Sequence, residues 1–136
     1  MEHVAGAKKF EELVCWQLAD DLKERVYRIL ERKVVAKDFD YCRQIRKSTR
    51  SAPALIAEGF GRWTRPEFVR YLRLALGELG ETRNHLRDGL QAKYIATDEY
   101  RELWHLCYRA SRACRGLIDS LLRKIDEGGN QEKPRR

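Results

Sequence analysis

Residues 42–62, CRQIRKSTRSAPALIAEGFGR, put two opposed faces on one helix. Placed on a wheel at about 100° per residue, Ile45, Ser48, Thr49, Ala52, Leu55 and Ile56 gather on one side. Arg43, Arg46, Lys47 and Arg50 gather on the other. Such a segment buries its first face against neighbours and holds the second in solvent. The pattern predicts a helix from about Tyr41 to Glu58, stopped at Gly59. Pro53 falls inside it, where the ring meets the carbonyl four residues back and removes one hydrogen bond, so a kink or a split is expected. Ser48 and Thr49, one turn back, are placed to help satisfy freed carbonyls.

A two-faced helix needs partners, and the chain supplies them on both sides. Upstream, Cys15, Leu18, Ala19, Leu22, Val26 and Ile29 form an apolar stripe in a segment from Val14 to Arg32, and KVVAKDFD serves as a connector. Downstream, TRPE announces a new start. Thr64 is a cap, Pro66 sits in the first turn where its missing N–H costs nothing, and Glu67 holds the capping-box position. Phe68, Leu72, Ala75, Leu79, Thr82, Leu86 and Gly89 then recur at alternating four and three, a heptad-like seam. After Thr97, Asp98 and Glu99 favour the next helix dipole. Leu103, Leu106, Cys107, Ala110, Cys114, Leu117, Leu121 and Ile125 make its stripe, which ends at Gly128 and Gly129. No segment alternates with the period of a strand. The expected fold is all-α, an antiparallel up-down-up-down four-helix bundle over residues 14–127, with a lead-in at 1–13 and a flexible tail at 128–136.

A length of 136 residues suits one domain, and 43% hydrophobic with 36% charged residues suits a globular chain rather than a disordered one. The start, MEHVAGAKKF, has no apolar core of signal-peptide length, and no window approaches a membrane span, so a cytoplasmic location without membrane contact is expected. Cys15, Cys42, Cys107 and Cys114 contain no C-x-x-C pair and read as small core residues in a reducing compartment. His3, His85 and His105 are too scattered for a metal cluster. No phosphate-cradling glycine loop occurs, and Arg101 and His105 stand one residue too close for the arginine–histidine pair of small helical ribonucleases. Glu58 and Glu81 suit ion pairs with Arg62 or Arg83 better than a catalytic pair. No enzymatic activity, cofactor or metal is expected.

The formal charge of +7 points instead to an anionic partner, with nucleic acid first and acidic proteins or lipid headgroups second. Arg43, Arg46, Lys47 and Arg50 have no acid at helical neighbour spacing within their stripe except Glu58, two turns beyond Arg50. Unpaired like charges repel, a cost that a polyanion would remove. Arg101, His105, Arg109, Arg112 and Arg123 on the outer face of the last helix, with Arg62 and Arg65 in a connecting turn, form a second cationic surface. The plainer reading of both is a solvated face with arginines paired to Glu78, Glu81, Asp88 or Asp119. Leu74, Gly77 and Gly80 point away from the seam, and Trp104 and Leu122 flank the last stripe. A wide core explains them, and so does a subunit interface, since mid-helix glycine is unfavourable by about 1 kcal/mol against alanine unless another backbone comes close.

FEELVCWQLA, the run from Gln44 to Glu81 and the closing amphipathic helix together resemble the bacterial four-helix-bundle proteins encoded by intervening sequences inside 23S ribosomal RNA genes. The similarity spans about residues 10–125, and its most specific part is Ser51, Pro53, Ile56, Ala57, Glu58, Gly59, Gly61 and Arg62, followed by Glu67 and Phe68. That family carries asparagine where this chain has Leu55. The resemblance implies an antiparallel bundle, a homopentameric ring and no enzymatic activity. The accessory protein of diversity-generating retroelements, a related branch, implies binding of nucleic acid and of a reverse transcriptase through a basic surface. Two functions follow as expectations. The first is a homo-oligomer that binds nucleic acid, RNA before DNA, through Arg43, Arg46, Lys47, Arg50, Arg62, Arg65, Arg109 and Arg112. The second is a protein-interaction scaffold for an acidic partner or a polymerase.

Overall fold

In the computed structural model, which describes residues 6–128, four long helices follow a 3-10 turn at Phe10–Glu12: α1 (Val14–Leu30), α2 (Phe39–Gly61), α3 (Arg65–Gln91) and α4 (Thr97–Asp126). Links 62–64 and 92–96 are too short to do anything but turn the chain back, which makes α2, α3 and α4 antiparallel in succession. Each helix packs against the next, and α1 packs against α4 to close the square. The pairs α1/α3 and α2/α4 therefore stand on the diagonals. Among the described residues there is no strand.

The heptad-like seam of α3 is buried along its whole length, from Phe68 through Leu72, Ala75, Leu79, Thr82 and Leu86 to Gly89. In α4 the expected stripe is buried from Leu103 to Leu121, with Ile125 half-buried at the end. Thr64 Oγ1 accepts the Glu67 N–H at 3.4 Å and starts α3 as its sequence predicts. The four cysteines are free and buried. Burial pushes the Cys107 thiol up to about 11, and its Sγ–H donates to the Leu79 carbonyl at 3.2 Å. Inside the α2/α3 contact the Ser48 hydroxyl lies 2.8 Å from that of Thr82 and bonds the Ile45 carbonyl, so a polar pair sits satisfied in the core.

Several expectations are corrected. Helix α2 begins at Phe39, earlier than Tyr41, because the Asp38 carboxylate caps it by accepting the Tyr41 N–H at 3.1 Å. KVVAKDFD is more than a connector: Lys33–Ala36 forms one helical turn with Val35 fully buried. Gly59 does not stop α2, which continues to Gly61. A Cβ there would lie 2.7 Å from the Tyr71 Cβ and 3.0 Å from a Phe68 ring carbon, so the glycine serves close approach of α3. Pro53 is buried and does not split the helix. Among the described residues the Thr49 hydroxyl has no hydrogen-bond partner, and Ser48 is engaged with Ile45 and Thr82 rather than with the carbonyl freed by the proline. Gly128, at a left-handed φ of 85°, bonds its N–H to the Ile125 carbonyl after α4. The expected tail from 129 onward, and residues 1–5 of the lead-in, lie outside the described residues.

One ion pair ties the two ends of the chain's fold together. The Arg32 guanidinium, just after α1, donates to both carboxylate oxygens of Glu99 in the first turn of α4 and to the Tyr94 carbonyl. Arg32 holds the Glu99 carboxyl below its ordinary value of 4.5. A depressed carboxylate stabilises the fold fully above that ordinary value and loses its contribution as pH falls through the lower, folded-state value. With side chains 43% and 31% exposed, the pair is worth about 0.2–1 kcal/mol. Arg32→Gln is therefore expected to lower stability by that amount at pH 7 and by less below pH 4, measured by urea unfolding across the pH range. An equal loss at pH 3 and pH 7 rejects the assignment.

Candidate nucleic-acid interface

The outer face of α2 carries a row set by helical repeat alone: Phe39, Arg43, Arg46 and Lys47, and Arg50 fall at intervals of four, three or four, and three or four. All are exposed, with Phe39 at 81% the barest of the large apolar side chains among the described residues. They line an open groove of about 570 Å³, whose floor is Leu30, Ala36 and Cys42. The floor comes from the end of α1, the one-turn helix and the inner edge of α2.

The charges in this groove are not equivalent. Arg43 is paired with Asp40 in the first turn of α2, and Gln44 also donates to that carboxylate at 3.0 Å. That corrects the expectation that Arg43 has no local acid, which followed from starting the helix after Asp40. Arg46, Lys47 and Arg50 have no carboxylate within 4.0 Å among the described residues. Arg46 lies 5.6 Å from the centroid of the Tyr27 ring on α1, which positions its guanidinium at the groove wall without neutralising it. Lys47 acts at longer range on Glu78 of α3. Burial and the neighbouring Glu81 raise that carboxyl above the ordinary range, and the lysine pulls it back. Three open cations thus share one ridge.

The remaining candidate cations are placed elsewhere. Arg62 donates to Glu58 at 2.8 Å and to the Tyr71 hydroxyl, with its guanidinium 4.7 Å from the Tyr71 ring centroid. This network pins the α2–α3 turn, which is the role expected of Glu58. Arg65 opens α3 half-buried. Arg109 and Arg112 are exposed on α4, together with Arg101, His105 and Arg123. Because α2 and α4 stand on a diagonal, the outer faces of these helices point to opposite sides of the bundle. The second cationic surface therefore lies across the bundle from the α2 ridge.

Between α3 and α4 lies a different face. Gly80 and Trp104 line one groove of about 370 Å³ with Arg83, Asn84, Arg87 and Tyr100. Trp104 stacks on Tyr108 with ring centroids 5.6 Å apart, and Arg83 lies 6.0 Å from the Trp104 centroid. Leu74 is 45% exposed, and beyond the adjoining residues and backbone of α3 itself no atom of the described residues comes within 4 Å of a Cβ built on Gly77 or Gly80. Leu122 differs: it is half-buried against the chain's own core. Among the described residues no group of three or more His, Cys, Asp or Glu is placed to hold a metal ion, and no helix is long and apolar enough to cross a membrane.

Residues that sequence reasoning passed over are Phe39, Asp40 and Tyr27. Stepping the cationic row back by one helical turn from Arg43 lands on Phe39, and the Asp38 cap was the signal that the helix reaches that far.

A family model described as 23S rRNA-intervening sequence protein matches residues 11–116. Among solved structures, the chain is similar to the crystal structure of a protein of unknown function from the S23 ribosomal protein family of Bacteroides thetaiotaomicron. The TM-score is 0.70 at 24% sequence identity, over 77% of this chain and 98% of that one, and the likeness concerns the fold. No curated protein matches the chain.

Proposed function

The chain belongs to the 23S rRNA-intervening sequence protein family, and from that premise we propose that it is a non-catalytic, homo-oligomeric bundle that binds nucleic acid, RNA before DNA, in the cytoplasm. The observation that carries the reading is the trio Arg46, Lys47 and Arg50, exposed on one ridge without a carboxylate within ion-pairing distance among the described residues. Phosphate is the anion that repeats along a polymer and can answer a row of cations one helical turn apart. The reading gives Arg109 and Arg112 an auxiliary role on the opposite side of the bundle.

Self-association is supported by the exposed Trp104 and Tyr108 at the groove that Gly80 lines, and separately by the exposed Leu74 and the open backbone at Gly77 elsewhere on α3. Copies related by a ring, with a pentamer as the expected state, multiply weak phosphate contacts into avidity. Leu122 stands outside both places, engaged with its own core. The same exposed aromatic face supports the second reading, a scaffold that docks a protein partner.

Titration of the intact protein with labelled single-stranded RNA, and with DNA of the same sequence, tests the proposal. Log affinity is expected to fall linearly with log salt, by about 0.7 per cation or about 2 for the open trio of one protomer. RNA is expected to bind more tightly than DNA. Native mass measurement of the same sample is expected to give a multiple of 16.1 kDa. Absence of binding at low salt rejects the nucleic-acid reading in favour of the scaffold, and a mass of one protomer rejects the ring.

A further inference from the structure

We infer that Phe39 is a stacking platform for an unpaired base, so that the α2 groove takes single-stranded rather than fully paired nucleic acid. The inference rests on the phosphate-binding reading of the same groove and adds to it the class of polymer that fits.

Phe39 opens α2 as a residue 81% exposed to solvent, although an aromatic ring is the kind of surface a folded chain ordinarily covers. Its neighbours turn inward while it stays out. Cys42 is buried with its Sγ–H bonded to the Val35 carbonyl, and Tyr41 is half-buried with its hydroxyl on the His85 carbonyl at 2.9 Å. Phe39 therefore contributes little to the core, and its position in the groove is what needs a reason.

That position is one turn ahead of Arg43 and two to three turns ahead of the open cations, on the same ridge and in the same groove. One turn rises about 5.4 Å, so the row places a π-face at one end and positive charges at successive steps behind it. Backbone-tracking cations beside an aromatic ring is the arrangement that binds single strands, because every base offers a flat face whatever its identity. In a duplex those faces are covered by neighbouring pairs, so the ring has no base face to stack on. Complementary charge thus names the occupant of the apolar end as well.

The test uses the full chain with Phe39→Ala and Phe39→Trp against a fluorescein-labelled single-stranded oligonucleotide and a blunt duplex of the same length, at fixed salt. Phe39→Ala is expected to weaken single-strand binding roughly tenfold or more while leaving duplex binding and the salt slope unchanged. Phe39→Trp is expected to retain single-strand affinity. Thermal melting of both variants should match the parent, since the ring is outside the core. Equal weakening on both polymers, or no weakening on the single strand, overturns the inference while the phosphate reading stands. Loss of native mass in Phe39→Ala overturns it by assigning the ring to a second copy of the chain. Failure of the parent protein to bind either polymer removes both readings together.

Discussion

Replacing Arg46, Lys47 and Arg50 together with glutamine is expected to weaken single-stranded RNA binding about 10²-fold at ~0.1 M salt and to flatten the salt dependence by about 2 log units per log unit. The size follows from counting open charges. Each cation that meets a phosphate releases bound counterion, worth about 0.7 in slope on a single strand, and three such cations give about 2. Arg43 is left out of the count because Asp40 already neutralises it. The exception supplies a variant of opposite sign. Asp40→Asn removes the acid, frees Arg43, and is expected to tighten binding and steepen the slope by about 0.7. An unchanged slope in the triple variant places the polymer elsewhere, with Arg109 and Arg112 on the far side of the bundle the next surface to neutralise. Fluorescence anisotropy at four salt concentrations reads all of these outcomes, and circular dichroism confirms that the helices persist.

Most of the fold was legible in the residues because a helix bundle writes its core into local spacing. The α3 seam is the clearest case: seven positions at alternating four and three, all of them buried. The limits of α2 were harder to read. Asp38 acts as its cap, yet caps depend on one side chain's geometry and not on a repeat, so no periodicity marks the first turn with Phe39 and Asp40 as helical. The charge state of the groove went astray with it, since Asp40 neutralises Arg43 only when both are in the same helix. Val35 was missed for a related reason, as one buried residue in a one-turn helix makes no pattern. Pairings across helices were invisible altogether: Ser48 with Thr82 is thirty-four positions apart, and Arg46 meets Tyr27 on another helix. Glu58 with Arg62 was readable because four residues of separation bring two side chains together on any helix.

Glycine shows the same division between local and tertiary information, and it gives the second large prediction. Gly59→Ala is expected to destabilise the bundle by about 1–2 kcal/mol, whereas Gly116→Ala is expected to stabilise it by up to about 1 kcal/mol. Both residues are helical, so both gain from alanine's better helix preference. They differ in what the new methyl meets. At Gly116 on α4 no described atom beyond the adjoining residues and backbone of the helix itself lies within 4 Å of the new methyl, so the preference acts alone. At Gly59 the methyl meets the Tyr71 Cβ at 2.7 Å, an atom fixed to the α3 backbone that cannot swing aside. The link 62–64 is too short to let the two helix ends spread without moving the Arg62–Glu58–Tyr71 network. Overpacking of this kind costs about 1–3 kcal/mol, which exceeds the helix gain. At about 4 °C per kcal/mol for a chain of this size, the two variants should melt roughly 4–12 °C apart. Gly80→Ala then distinguishes an open surface from an interface. It should match Gly116→Ala if the α3 face meets only water, and should lower the native mass if a second copy's backbone lies against it. Equal effects at Gly59 and Gly116 would mean that α2 and α3 do not approach as closely as the Tyr71 contact requires.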